Sequence, residues 1–503
     1  MALAIKGAEV LSMDGDGGTT PVTADILVED DRIAVIGPGL DTGDATVIDG
    51  TGKLVMPGLV NAHMHSPEAL YKGRYDNMPL ELWMLCAYPI LGAQTLSPRL
   101  VYLRTVLCAM ESLKSGTTCV TDDVYESPRQ TPEQLDAVFQ AYDDVGLRAT
   151  ISGHVVDRPF LDTIPFTREF VDPALAAEAD ALGAADKEAW LEHCRHAFAN
   201  LNGRSGRLNF MVAPSAPQRC TVELMQEAME LAEAHDAPFH THILETKVQA
   251  VTGQEFYGET LIAYMHRRGL LKERTTIAHS IWVTDEDIEM MGAAGCSIVH
   301  NVISNQKLGA GVAPVRRLLD AGVNVALGSD GVSTSDTTRM FAVMHAAGLI
   351  HNVQTPDVDY WLSAGDVLRA ATSGGAKSAC LPDVGNLAPG MKADMLLIDL
   401  ATIPFTPRND IANHLVYCET GSSITHSIVN GEVMAEDGRC LRVNETELLA
   451  ELKEEMPAFL AAHEETERLN RAFAEAFWKV HKKANARDIG IHRLGREPAW
   501  SRS

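Results

Sequence analysis

Hydrophobic and polar positions change their rhythm three times along the chain. Residues 1–52 hold short apolar runs with partial alternation, at 24–30 and 32–37, separated by Asp-Gly and Pro-Gly pairs. Such a pattern predicts short β-strands joined by turns. From residue 54 onward, runs rich in Val, Ile and Gly alternate with helical stretches such as 100–113 and 221–232. The first run, Leu54-Val-Met-Pro-Gly-Leu-Val-Asn-Ala-His63-Met-His65, reads as one buried strand. Further strands are predicted near 117–123, 148–155, 208–214, 237–242, 275–279, 296–300 and 323–330. Eight strand–helix units imply a closed parallel barrel rather than an open sheet.

After residue 383 the short-strand pattern returns, at 394–399 and 424–433. Strands at both ends of a barrel predict a small β-sandwich domain built from both termini. The expected organisation is a composite β domain from 1–57 and 383–445, a distorted (β/α)8 barrel from 58–382, and a helical extension from 446–503. The extension is dense in Ala, Glu, Leu and Lys and ends in a basic tail with Lys482, Lys483, Arg487, Arg493 and Arg496. It reads as a solvated helix with a loose end; a contact with an acidic neighbouring subunit is the alternative.

Composition narrows the partners. Lys and Arg number 42 against 68 Asp and Glu, a formal net charge of −26. A polyanion such as nucleic acid, or an anionic membrane surface, would be repelled. Nine scattered cysteines without a Cys-x-x-Cys motif fit a reducing cytoplasm. The N-terminus lacks the charged head and apolar run of a signal peptide. No uncharged apolar stretch approaches the roughly 18 residues that a membrane helix needs.

The chemistry is concentrated at predicted strand ends, which is where barrels of this kind work. His63 and His65 are two apart on a strand, so both imidazoles leave it on one side. That suits one divalent ion of the zinc type, although a lone His-x-His also simply closes a strand. The pattern repeats with His240 and His242, His279, His300 and Asp330, each ending an apolar run.

Several pieces, in this order, then resemble a known family. They are Met56-Pro-Gly-Leu-Val-Asn-Ala-His-Met-His65, Ser115-Gly-Thr-Thr118, His240-Thr-His-Ile-Leu-Glu-Thr246, Ala278-His-Ser-Ile-Trp282, Gly328-Ser-Asp-Gly331 and the stretch 385–394. Together they resemble the metal-dependent amidohydrolases, in the branch of adenosylhomocysteine and methylthioadenosine deaminases, guanine deaminase-like enzymes and triazine hydrolases. The resemblance implies one divalent metal per chain, usually zinc and sometimes iron, on His63, His65, His242 and Asp330. It implies His279 beside the water or the substrate, and Asp330 as a proton acceptor. Glu245, three residues after His242, stands where the family's deaminases carry a carboxyl that protonates a substrate ring nitrogen.

The expected reaction is therefore hydrolytic deamination of an aminated purine, pyrimidine, pterin or triazine. The alternatives are metal-dependent hydrolysis of another C–N or C–Cl bond, as in a triazine chlorohydrolase or cyclic amidohydrolase, and a non-catalytic scaffold. Where relatives read His-Ala-Pro the chain has Ser215-Ala-Pro, and where they read His-Cys-Pro-x-Ser-Asn it has His300-Asn-Val-Ile-Ser-Asn305. Both places line the family's substrate pocket, so the substrate is not carried over. Ser215, His300 and Asn305 are the substrate-binding candidates there. Trp83 and Tyr71, in the long loop after the first strand, are candidates to stack on a flat ring, with packing of that loop as the other reading. A small heterocyclic substrate and a homo-oligomer, dimer or tetramer, complete the expectations.

Overall fold

The computed structural model describes residues 2–15 and 18–495. Eight parallel strand positions form the barrel: β1 (Leu59–His65), β2 (Thr117–Asp122), β3 (Arg148–Val155), β4 (Leu208–Pro214), β5 (Phe239–Ile243), β6 (Thr275–His279), β7 (Ser297–His300) and β8. The last is broken. Asn324–Leu327 pairs with β7, and after two residues Asp330–Gly331 pairs with β1, Asp330 opposite Met64. The break is what closes the ring. It is held by Asn61 of β1, whose side chain donates to Ser329 Oγ (2.8 Å) and accepts from Ser329 N (2.9 Å). Gly328 is needed at the break because a Cβ there would collide with the Asn301 side chain.

The strands are buried on both faces, which explains their near-continuous apolar runs. Inside the barrel Ala62, Val299 and Ala326 pack together. Outside, residues such as Val120, Ile151, Val212 and Ile277 meet the helices, among them Val222–Ala234, whose N-cap is the Thr221 side chain.

The run 54–65 is two strands, not one. Lys53–Pro57 belongs to a second sheet, and the chain crosses into the barrel at Gly58, where any Cβ would collide with Thr118. Proline and glycine together break the ladder that an unbroken apolar run would continue. The second sheet is mixed and nine-stranded. Met395–Asp399 lies antiparallel to Lys53–Pro57 and so joins strands from both ends of the chain. All nine are hydrogen-bonded as one sheet, whose halves share a core of Ile5, Ile26, Val55, Met395, Leu397 and Ile428.

The C-terminal extension is not a solvated helix. The loop after β1 contains helix α1 (Leu80–Ala87), and on it lie α2 (Glu445–Asn470) and α3 (Ala474–Asn485). Arg74 forms a two-pronged ion pair with Glu467 (2.9 Å each), Tyr75 OH donates to Glu467 (2.9 Å), and Phe473 and Phe477 are fully buried. The basic residues find partners within the chain: Lys483 on Glu169, Arg487 on Glu255, and Arg493 on the carbonyls of Ile281 and Val283. Arg496 lies outside the described residues. Among the described residues no helix is long and apolar enough to cross a membrane.

Arg148 of β3 grips Asp394, at the entry to Met395–Asp399, through Nε (2.6 Å) and Nη2 (3.1 Å), with both side chains buried. Arg148→Leu strands a buried carboxylate, so it should destabilise the protein by about 3–5 kcal/mol. This is read as a fall in denaturation midpoint, and Asp394→Asn added to it should recover part of the loss. An unchanged midpoint in the single variant would remove this ion pair from the contacts that hold the two sheets together.

Candidate metal centre and catalytic pocket

At the C-terminal mouth of the barrel the strand-end groups converge. His63 Nε2 lies 3.3 Å and His65 Nε2 3.5 Å from Asp330 Oδ1, and His65 Nε2 faces His242 Nε2 at 3.3 Å. The opposite ring nitrogens are already committed. His65 Nδ1 donates to the Asp123 carbonyl (2.7 Å) and His242 Nδ1 to the Ser215 carbonyl (3.0 Å), so both Nε2 atoms carry lone pairs. His63 Nδ1 meets His240 Nε2 at 2.8 Å, and His63 Nε2 is buried with no hydrogen-bond partner. With neutral imidazoles, and with His63 donating from Nδ1 to His240, three ring lone pairs and a carboxylate oxygen point at one another. That arrangement fits a divalent ion, and the donor types suit zinc chemistry. His63, His65, His242, His279, Asp123, Glu245 and Asp330 supply all the potential ligand atoms of this cluster.

Charge balance points the same way. Burial pushes His63 down to about 4, despite Asp330. Burial works against a charge on His65 too, yet Asp123, Glu68 and Asp330 pull it up to about 9. Asp330 is held well below the usual carboxylate range by His279, His63 and His65, in spite of its burial. The pocket thus draws positive charge to the point where the lone pairs meet.

On the far side, His279 Nε2 is 3.6 Å from Glu245 Oε2 and 3.8 Å from Asp330 Oδ2. Its Nδ1 donates to Asn305 Oδ1 (2.9 Å). Burial pushes the Glu245 carboxyl up to about 7. Several of these groups stand on backbone with positive φ: Leu244 (61°), His279 (78°) and Asp330 (66°). Non-glycine residues tolerate this region at a cost of about 1–3 kcal/mol each, and such strain collects at functional sites.

These groups open into a cavity of about 1300 Å³ lined by His65, Trp83, His242, Glu245, His279 and Asp330 among others. Trp83, on α1, is in the wall and donates from Nε1 to Ser333 Oγ (3.2 Å). Tyr71 is not in the wall. Its ring packs against His463 (4.5 Å between centroids) and Phe459 (5.6 Å) of α2, which takes the face that stacking on a substrate would need. His300 also misses the cavity: it is wholly buried, beside His351, with neither ring nitrogen partnered. Ser215 and Asn305 sit behind the wall and hold His242 and His279. His240 backs His63.

Residues that sequence reasoning passed over complete the pocket. Asp123, just past β2, binds His154 Nδ1 of β3 (2.8 Å) and Ser152 Oγ (2.6 Å). Glu68 accepts from Tyr88 OH (2.7 Å) and Ser333 Oγ (2.8 Å), and burial raises it. The strand-end rule that found His279 also covers Asp123 and His154, had it been applied to β2 and β3.

The fold, with side chains of metal-ligand type at its strand ends, is that of a barrel hydrolase of the amidohydrolase class. The chain belongs to the amidohydrolase family, whose profile matches residues 54–434. It is 33% identical over 454 residues to a 5-methylthioadenosine/S-adenosylhomocysteine deaminase of Pelotomaculum thermopropionicum, covering 89% of this chain and 96% of that protein. A 5'-deoxyadenosine deaminase of Methanosarcina barkeri is 33% identical over 445 residues, 88% and 95% of the two chains. Among solved structures, an atrazine chlorohydrolase from Arthrobacter aurescens complexed with zinc superposes with a TM-score of 0.81 at 24% identity, over 90% of this chain and 100% of that one. An adenosine deaminase from Xanthomonas campestris with bound zinc gives 0.78 at 25% identity, over 90% and 97%.

Protein purified without chelators should carry about one divalent ion per chain by elemental analysis. His63→Ala should lose most of it, because His63 Nε2 is buried without a hydrogen-bond partner and faces Asp330 Oδ1. Full metal content in that variant would take His63 out of the ligand set.

Proposed function

We propose that this chain is a metal-dependent aminohydrolase that replaces the exocyclic amino group of a nitrogen heterocycle with oxygen and releases ammonia. The observation that carries the reading is Glu245. It is a buried carboxyl that lines the cavity, faces His279 and is held near neutrality, beside a cluster of metal-ligand type. The sequence relatives named as deaminases of adenosine compounds support it, and adenine nucleosides head the order of testing. Zinc is the ion we favour, held by His63, His65, His242 and Asp330. Nine unpaired cysteines support a reducing compartment.

When bound, the ion supplies a Lewis acid that makes water a nucleophile near neutral pH. Asp330, through the oxygen that faces His279, takes the proton this water gives up. His279 is held by Asn305 with Nε2 towards the reacting atoms, where its lone pair can accept from the attacking water and orient it. Glu245 is protonated for a good part of the time at neutral pH, so it can give a proton to the neighbouring ring nitrogen and make that carbon electrophilic. Once oxygen has added, a carboxyl at this place also moves the proton that turns the amino group into departing ammonia. Trp83 offers a flat apolar face to the ring.

Displacement of halide is the nearest rival, since a chloride leaves without being protonated. The solved triazine hydrolases at 24% identity share the fold, which hosts both chemistries. Glu245→Gln keeps the shape of the side chain but cannot carry a proton. Ammonia release should fall by roughly 10²–10⁴-fold, the usual contribution of general acid–base catalysis. Metal content should stay the same, since Glu245 is not among the proposed ligands. Near-normal turnover in this variant would move the assignment to a hydrolase with a better leaving group.

A further inference from the structure

The cavity contains a cation that the roles above leave unused. Arg219 lies five residues beyond the end of β4 and lines the same cavity as Glu245. Its Nη1 donates to Ser215 Oγ (3.3 Å) and its Nη2 faces the Met84 sulfur (3.2 Å). Its Nε is buried without a partner. No carboxylate among the described residues forms an ion pair with it. Glu245 and Glu81 are near enough to favour its charge, and burial nevertheless pulls its pKa below the ordinary value.

Arg219 is half-buried at the cavity wall, and the contrast with the fully buried arginines is direct. Arg104 clasps Glu126 and Arg148 clasps Asp394. A guanidinium taken out of water without a counter-charge is costly. Among the described residues Arg219 has a hydroxyl and a thioether as its only side-chain hydrogen-bond partners, both poor matches for a planar fork of five donors. What such a fork fits is an oxygen acceptor, best a carboxylate or a strongly polarised carbonyl.

Its position says which part of a ligand it meets. Ser215 accepts from Arg219 through its hydroxyl and from His242 Nδ1 through its carbonyl, so one residue ties the guanidinium to the metal-ligand cluster. Glu245 is the first among the charges that Arg219 feels. A ring that offers a nitrogen to Glu245 therefore turns another edge, or a substituent, towards Arg219.

Building on the deaminase reading, we propose that Arg219 binds an oxygen acceptor of the substrate, a ring oxo group or a carboxylate on its substituent. The substrate is then an oxygen-bearing aminated heterocycle. The cavity, at about 1300 Å³, is larger than the common 300–1,000 Å³ of small-molecule pockets and admits either form.

The test is ammonia release by wild type, Arg219→Met and Arg219→Lys from three matched pairs. Cytosine against 4-aminopyrimidine and guanine against 2-aminopurine differ in a ring oxo group. S-adenosylhomocysteine against 5'-methylthioadenosine differs in a tail that ends in a carboxylate. Wild type should prefer the oxygen-bearing member of at least one pair. Arg219→Met should erode that preference about 100-fold in kcat/KM, mainly through KM, and Arg219→Lys should erode it less. Which pair responds tells a ring oxo group from a tail carboxylate. If Arg219→Met is insoluble, Arg219→Lys carries the comparison, and an unchanged preference in it overturns the proposal. Equal slowing of both members by Arg219→Met also overturns it, as does the absence of any preference in wild type where ammonia is released. Failure of wild type to release ammonia from any member removes the deaminase reading and this assignment together.

Discussion

Electron pairs aimed at electron pairs are the constraint on which this molecule turns. Ring nitrogens of His63, His65 and His242 and an oxygen of Asp330 meet within 3.3–3.5 Å in the contacts that link them, at the buried floor of the cavity. Such a group is stable only around positive charge. Much of the surrounding structure serves to keep it from rearranging. Backbone carbonyls of Asp123 and Ser215 occupy the other nitrogens, so the imidazoles cannot turn their protons inward. Asn61 holds the broken eighth strand and with it Asp330. The left-handed backbone at Leu244, His279 and Asp330 is then explained as strain that the parallel sheet is strong enough to impose.

Precision and selectivity come from different parts of the fold. The metal-type ligands and His279 stand at the ends of barrel strands, where the position of each side chain follows from strand register. The wall opposite them is built from loops and α1, which hold Trp83, Glu81 and Met84. Those loops can vary without disturbing the strand ends, which is how one barrel supports different reactions. Among the described residues the small mixed sheet contributes no cavity group. It meets the barrel through the buried grip of Arg148 on Asp394, on the side where conserving the fold rather than the reaction is at stake.

The barrel was legible in the sequence because strands buried on both faces leave apolar runs, and His or Asp at the end of such a run stands out. Residues 63, 65, 240, 242, 279, 300 and 330 stand out in that way, and all but 240 and 300 belong to the cluster of metal-ligand type. Asp123 does not, because Asp-Asp after a strand reads as a turn. His154 lies at a strand end but next to an apolar Val-Val pair that hides the boundary. For Tyr71 the packing reading holds over the stacking one, for a different reason. What covers its ring is α2, about 390 residues further on, and no local pattern announces a contact so distant. The same helix was read as solvated, because its charged residues form ion pairs with partners elsewhere in the chain rather than with water.

Those distant contacts give the chain a direction in time. Glu81 accepts from Thr246 with one oxygen and contacts His481 with the other, while Asn470 receives the backbone N–H groups of Ile90 and Leu91. A nascent chain has therefore made every metal-type ligand by residue 330, more than a hundred residues before the helices that brace the pocket wall leave the ribosome. Synthesis halted in that interval gives a chain that carries every strand-end residue but lacks the clamp on the loop that bears Trp83. The braced wall in this way exists only in chains that extend past these helices.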